Sequence, residues 1–183
     1  MILSYDINKL NDLLQSFYSL SKLRIVVYND VFEKVAEVPD YDCLFCRLIR
    51  SDKNAEKNCL ASDKYACEMC QKKDALYSYT CHVGLTETVT PIRHGNIIIG
   101  YLMFGQVLQT PDSGTYWNEI IKKCSGYNID MGQLYQAYQE KYPMEPEQVN
   151  ASAQILEACA GYLWLQRFIS LKEDSLPNKI DEY

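Results

Sequence analysis

The sequence predicts an α+β protein in which helices are inserted into an antiparallel sheet and a long helix follows it. Short β-branched or alternating segments bounded by turn residues are typical of strands, and they occur near the start and in the middle of the chain. Segments with apolar residues three and four positions apart are typical of helices, and they lie before, between and after the strands. A glycine turn at residues 94–96 joins two of the strands, which favours antiparallel pairing.

The elements are predicted in the order helix, two strands, two helices, three strands and three helices. The first helix covers residues 6–20, with Asp6 as its cap, and the first two strands cover residues 24–28 and 34–38. The other predictions are helices over 43–51 and 59–74 separated by a polar loop over 52–58, strands over 76–82, 86–93 and 97–108, and helices over 115–124, 130–141 and 147–171.

The last and longest predicted helix has one apolar stripe along its length. This stripe can pack on the sheet as an ordinary core helix, on a twin helix of a second copy, or on both. We expect a homodimer, and we expect this helix to carry the output of the domain.

Charge and hydropathy exclude several classes of function. The 183 residues carry a formal net charge of −6, and the densest basic stretches are pairs of lysines, too small to neutralise nucleic-acid phosphates. The longest apolar run, residues 97–104, is far shorter than the roughly 20 residues that span a bilayer. The first ten residues lack the pattern of a signal peptide. We therefore expect a cytoplasmic domain that binds neither DNA nor a membrane by itself.

Cysteines are concentrated in the middle of the chain, where six of the eight lie between residues 43 and 81. The spacing includes two C-x-x-C pairs, Cys43 with Cys46 and Cys67 with Cys70, and paired thiolates of this kind suit zinc. The residues around them are apolar and helical, where free cysteines often pack as small hydrophobic side chains. Bound metal, buried thiols and a redox-responsive thiol of low pKa all remain open.

The sequence does not predict an enzyme. Cys81 and His82 are adjacent on a predicted strand, so their side chains would point to opposite faces and would form neither a catalytic pair nor a shared metal site. The glycine-rich phosphate-binding patterns, the serine nucleophile motif and the histidine–glutamate zinc motif are all absent from the sequence.

Several short segments, taken together and in order, resemble the PocR sensory domain family. They are FCRLIR at 45–50, CLASD at 59–63, YTCHVGL at 79–85, PI at 91–92 and GYLMFGQ at 100–106. The opening helix followed by residues 24–30 is also similar, so that the resemblance covers roughly residues 5–170.

The resemblance implies a PAS-like sensor fold that recognises small organic molecules, such as simple diols or hydrocarbon derivatives. Such domains are commonly joined to an AraC-type DNA-binding region or a histidine kinase. We therefore expect residues 1–172 to form the sensory domain. Residues 173–183 would be a linker and the start of a missing AraC-type helix-turn-helix domain, through which DNA would be bound.

The resemblance also bears on individual residues. Cys46, Cys59 and Cys81 match cysteines that recur in the family, whereas Cys43, Cys67 and Cys70 look like additions. A site of three thiolates from Cys46, Cys59 and Cys81, holding zinc or another metal, therefore remains open. Other matched positions are Asp63, His82, Gly84, Pro91, Gly105 and Gln106.

A ligand is expected in a hollow around which the strands at residues 79–82 and 97–106 curl. By alternation Tyr79 and Cys81 share one face of their strand. Gly105 lacks a Cβ and would allow close approach of a ligand near Gln106, unless these two residues simply end a strand. The expected ligand-binding residues are Cys46, Cys59, Tyr79, Cys81, His82 and Gln106. The alternative function is a cysteine-based metal or redox sensor.

Overall fold

The computed structural model describes residues 7–94, 96–108, 113–141 and 143–174. In chain order its elements are α1 Ile7–Ser21, β1 Arg24–Asn29, β2 Lys34–Val38, α2 Leu44–Arg50, α3 Lys53–Lys73, β3 Tyr77–Thr80, β4 Thr86–His94, β5 Ile97–Val107, α4 Ser113–Cys124, α5 Met131–Gln139 and α6 Pro146–Asp174.

The five strands form one sheet in the order β2-β1-β5-β4-β3, and all neighbouring strands are antiparallel. The longest strand, β5, lies in the centre, which fits its nearly continuous apolar sequence. Helices α2 and α3 are inserted after β2, and the long α6 follows the sheet. The predicted α+β fold is therefore confirmed, and its arrangement is consistent with a PAS-like domain.

The two faces of the sheet support different helices. On one face, α1 and α6 pack on a core that includes Ile25, Leu102 and Phe104. On the other face, α3 packs on a core that includes Tyr101 and Met103. A third cluster joins α2, α3, α4 and α5 beside this second face. Within the described residues, no helix is both long and apolar enough to cross a membrane.

Helix α3 begins six residues earlier than the sequence pattern predicted, so the predicted loop over residues 52–58 is wrong. Asp52 is its N-cap, because Oδ1 accepts hydrogen bonds from the backbone N–H groups of Asn54 at 2.9 Å and Ala55 at 3.0 Å. The first turns of α3 are mostly exposed and polar, which hid the helical periodicity in the sequence.

Strand β3 ends at Thr80, so the prediction that Cys81 and His82 lie on a strand is wrong. They lie in the turn that connects β3 to β4. The N–H of Cys81 donates to the carbonyl of Leu85 at 2.8 Å, and the N–H of Gly84 donates to the carbonyl of Cys81 at 2.9 Å. Gly84 has a φ of 114°, a conformation that glycine adopts at little cost, and this closes the turn.

Candidate functional site

A cavity of about 520 Å³ lies where β1 begins and β5 ends, bordered by the last turns of α1 and α5 and the first turn of α2. This volume is within the range of pockets that hold small organic ligands. Its apolar lining includes Leu23, Phe45 and Met144, and its polar lining includes Arg24 and Gln106.

A β-bulge in β5 shapes the inner wall of this cavity. Thr86 of β4 pairs with Val107, and the next residue, Glu87, pairs with Gly105, so Gln106 is an extra residue on β5. Gln106 has a φ of 67° and Gly105 has a φ of 144°, so both depart from extended backbone. The alternative that these two residues simply end a strand does not hold, because the pairing of β5 with β4 continues beyond them.

Gly105 has no room for a side chain at this bulge. A Cβ at this position would lie 2.7 Å from the Cα of Glu87 and 2.8 Å from the carbonyl oxygen of Thr86, and neither backbone atom can move independently. We expect Gly105→Ala to lower the free energy of unfolding by about 2 kcal/mol. Gly126→Ala is the control, because its Cβ would meet nothing within 4 Å. Equal urea midpoints for the two variants would contradict this account of the bulge.

The side chain of Gln106 is buried and belongs to the cavity wall. Within the described residues, its amide has no hydrogen-bond partner, although its backbone carbonyl accepts a hydrogen bond from Lys141 Nζ at 3.0 Å. The amide is therefore a group that can donate to and accept from a bound molecule.

Behind the cavity wall lies a network of partly buried ionic side chains. Arg24 contacts Glu37 and also lies 3.3 Å from Asp42 Oδ1. Arg50 Nη1 lies 3.1 Å from the other oxygen of Asp42, and Arg50 Nη2 lies 3.7 Å from Asp63 Oδ2. The two arginines thus bring together three carboxylates: Glu37 of β2, Asp42 of the loop before α2, and Asp63 of α3.

This network also includes β3 through Tyr79, whose hydroxyl donates to Asp63 Oδ1 at 2.9 Å. Burial raises the pKa of Asp63, while the hydrogen bond from Tyr79 and the charge of Arg50 lower it. The Nε atoms of Arg24 and Arg50 are buried without a hydrogen-bond partner among the described residues. The hydrogen-bonding capacity of the network is therefore incompletely satisfied among these residues.

Glu87 is a central residue of the site that sequence reasoning missed. It lies on β4 in a row that runs across four strands, from Arg24 through Gly105 and Glu87 to Tyr79. The sequence did contain an indication of it, because Glu87 is a single charged residue between Thr86 and Thr88 in a strand whose other residues are mostly buried.

Burial and the nearby charge of Asp63 raise the pKa of Glu87 to about 8, although Arg50, Arg24 and Lys141 act in the opposite direction. At neutral pH the carboxyl is therefore mostly protonated, and it can donate as well as accept a hydrogen bond. Within the described part of the chain, Glu87 makes neither a hydrogen bond nor an ion pair.

A second missed feature is the pair formed by Cys43 and Lys141, both of which line the cavity. Lys141 Nζ lies 2.9 Å from Cys43 Sγ and also donates to the Gln106 carbonyl. A hydrogen bond from Cys46 and the nearby Lys141 ammonium lower the pKa of Cys43 to about 5. Lys141 lies just beyond α5, and sequence spacing gave no indication that it would meet Cys43, 98 residues away.

The structure brings together some of the six residues that the sequence predicted to bind ligand. Cys46, Cys59 and Cys81 are buried in the same cluster, and Tyr79 packs against it. Of the six, only Gln106 lines the cavity. The ligand-binding role of the other five stays a prediction.

His82 occupies a separate corner of this cluster. Its Nε2 lies 3.2 Å from Cys59 Sγ, and its Nδ1 lies 3.3 Å from the hydroxyl of Tyr127. Burial and the nearby charges of Lys123 and Arg50 lower the pKa of His82, which favours the neutral imidazole. Burial raises the pKa of Cys59 to about 11 and that of Cys81 to about 12.

In the described residues, no three histidine, cysteine, aspartate or glutamate side chains are arranged to hold a metal ion. Cys46, Cys59 and Cys81 share a hydrophobic cluster but do not converge as ligands, so the structure gives the zinc hypothesis no support. The two C-x-x-C pairs also lie apart, because Cys67 and Cys70 of α3 pack on the sheet in a different cluster.

Comparisons with known proteins agree with the regulatory character expected from the sequence. The chain is 28% identical over 103 residues to the regulatory protein PocR of Salmonella typhimurium, which corresponds to 56% of this chain and 34% of that protein. The chain thus spans about a third of the length of this relative. No solved structure gives a significant match. The model of the sensory domain found in PocR matches residues 4–167. The chain therefore belongs to the PocR sensory domain family.

Proposed function

We propose that this domain binds a small organic molecule, a diol or related hydrocarbon derivative, in the cavity at the end of β5. Binding is then signalled to a DNA-binding domain outside these 183 residues. The observation that carries the proposal is the cavity of about 520 Å³, in which the amide of Gln106, without a hydrogen-bond partner among the described residues, adjoins apolar walls. Membership of a sensory domain family supports the same function.

The lining of the cavity favours a molecule that is short and partly polar. Phe45, Val107 and Met144 can cover a hydrocarbon segment, and Gln106 can pair with a hydroxyl group by donating and accepting. Arg24 and Lys141 add donors at the same wall. A diol presents both kinds of surface, and it carries no charge that would need to be desolvated.

The charged groups near the cavity favour binding over catalysis. Asp42 and Asp63 are held by Arg50, and Glu87 is mostly protonated at neutral pH. Groups fixed in this way shape and orient a site, whereas a general base must accept a proton from the substrate. The proposal therefore assigns recognition, and not turnover, to this domain.

The proposed output runs through α6, which packs on β4 from the face opposite the network. A ligand that binds one packing of α6 more tightly than another shifts the population by that difference in affinity. We propose that residues 173–183 lead to an AraC-type DNA-binding domain and that α6 contributes to a homodimer.

A thermal-shift screen of small diols, aldehydes and short acids tests the proposal on the 183-residue protein. A diol at 100 times its Kd should stabilise the domain by about 2.7 kcal/mol, which corresponds to a rise in Tm of roughly 5–10 °C. Gln106→Ala should abolish the rise, because the ligand loses its polar partner.

The matched control is Gln71→Ala, which removes the same amide from an exposed position on α3. It should leave the rise in Tm unchanged. The proposal fails if no compound of these classes raises Tm, or if Gln106→Ala responds to the ligand as fully as the control.

A further inference from the structure

One wall of the cavity carries a thiol, that of Cys43, in an environment unlike that of the other cysteines. Cys43 is the N-cap residue of α2, it is half-buried, and it lines the cavity. Its sulfur contacts the ammonium of Lys141 at 2.9 Å. Cys46, three residues further into α2, is buried.

These contacts favour a thiolate at Cys43 and a thiol at Cys46. The hydrogen bond from Cys46 and the Lys141 ammonium lower the pKa of Cys43 to about 5, so it is ionised at neutral pH. The same hydrogen bond, together with burial, raises the pKa of Cys46. Burial also raises the pKa values of Cys59, Cys67, Cys70, Cys81 and Cys124.

We propose that Cys43 and Cys46 form a redox-active dithiol, in which Cys43 attacks low-molecular-weight disulfides that enter the cavity and Cys46 resolves the product. This activity goes beyond ligand sensing and does not depend on it. The nucleophile in thiol–disulfide exchange is the thiolate, and a thiolate on the wall of a cavity can be reached by a small molecule.

The small disulfide is the oxidant of the two protein thiols, so the reaction needs no other reactant. The Cys43 thiolate attacks one sulfur of the small disulfide; a bond from Cys43 to that sulfur forms, and the original S–S bond breaks. The first small thiolate leaves and takes a proton from solvent. Cys46 then loses its proton and attacks the Cys43 sulfur, which closes the Cys43–Cys46 disulfide and releases the second small thiol. Two protein thiols are oxidised, and one disulfide is reduced to two thiols.

The charges around the cavity favour anionic disulfides. Its charged lining residues are Lys22, Arg24 and Lys141 on the positive side and Glu140 on the negative side. 5,5′-Dithiobis(2-nitrobenzoate), an aromatic disulfide with two carboxylates, is therefore a suitable probe, and its released thiolate is measured by absorbance.

The first experiment maps the alkylation of each cysteine by iodoacetamide, using mass spectrometry over a range of pH. Cys43 should react first, at a rate that reaches half its maximum near pH 5. Lys141→Met should move this midpoint to higher pH, whereas Lys122→Met, on the exposed side of α4, should leave it in place. Alkylation of Cys43 no faster than that of the half-buried Cys159 would overturn the proposal.

The second experiment tests Cys46 as the resolving thiol. The wild-type protein should release two equivalents of thiolate from one equivalent of probe and should form the Cys43–Cys46 disulfide. Cys46→Ser and Cys46→Ala should each release one equivalent and retain a mixed disulfide on Cys43, so the result does not depend on the folding of a single variant. Cys159→Ser should behave like the wild type.

Three results would overturn the proposal. They are a mixed disulfide that persists on wild-type Cys43, a disulfide that maps to other cysteines, and stoichiometric zinc that disappears in Cys43→Ser. Zinc bound in this way would hold the thiolate as a ligand and prevent exchange.

Discussion

Replacing Arg50 with methionine should lower the free energy of unfolding by about 3 kcal/mol at neutral pH. The substitution keeps much of the aliphatic side chain but removes the cation beside Asp63 and one of the two arginines that hold Asp42. Their side chains are only 17% and 12% exposed, so solvent cannot replace the lost partner. We take the lower end of the range for breaking a buried pair because Arg50 itself is 23% exposed.

The control for this prediction is Arg47→Met on the exposed side of the same helix, which should cost less than about 1 kcal/mol. Adding Asp63→Asn to Arg50→Met should restore part of the loss, because one of the unpaired charges is then removed. Urea unfolding measures all four proteins. Equal losses for Arg47→Met and Arg50→Met would show that the network does not stabilise the fold.

Replacing Glu87 with glutamine should remove a pH-dependent loss of stability that amounts to a few kcal/mol. The pKa of Glu87 is raised from about 4.5 in the unfolded chain to about 8 in the fold. Between these values the folded state binds more protons than the unfolded state, so wild-type stability falls as pH rises from about 4.5 to about 8. A glutamine cannot ionise and should not show this fall.

The two proteins should therefore have similar stability at pH 4, with the variant the more stable above pH 8. Cys43 acts in the opposite direction, because its pKa is lowered to about 5 and its stabilising contribution is lost as pH falls through that value. The difference between wild type and Glu87→Gln cancels the contribution of Cys43. Glu119→Gln, at an exposed position of α4, is the control and should track the wild type. A constant difference at all pH values would contradict the protonated state of Glu87.

The sequence predicted the order of elements because hydrophobic periodicity and turn residues determine strands and helices locally. The predicted bounds of elements were wrong where a helix cap or a turn outweighed the hydrophobic pattern. Asp52 caps α3, which therefore begins at Lys53, six residues before the apolar periodicity became visible. The turn closed by Gly84 took Cys81 and His82 out of the strand that alternation had assigned to them.

The site was harder to predict than the fold. Gln106, which lines the cavity, was singled out because it follows a glycine in an apolar strand. Arg50 and Glu87 were missed because isolated charges in helices and strands usually face solvent. Their proximity depends on how α2 packs on α3 and how α3 packs on β4, and the position of the cavity depends on a bulge of one extra residue. Neither feature can be read from spacing along the chain.

The two faces of β4 contact different parts of the protein, which has one further consequence. Glu87 belongs to the face with the ionic network, while its neighbours Thr86 and Thr88 lie on the face that α6 covers. The hydroxyl of Thr86 is buried there without a partner among the described residues. β4 is thus a single strand between the ionic network and the core under α6. A change in the network that displaces β4 would also displace the surface on which α6 packs, with no loop in between.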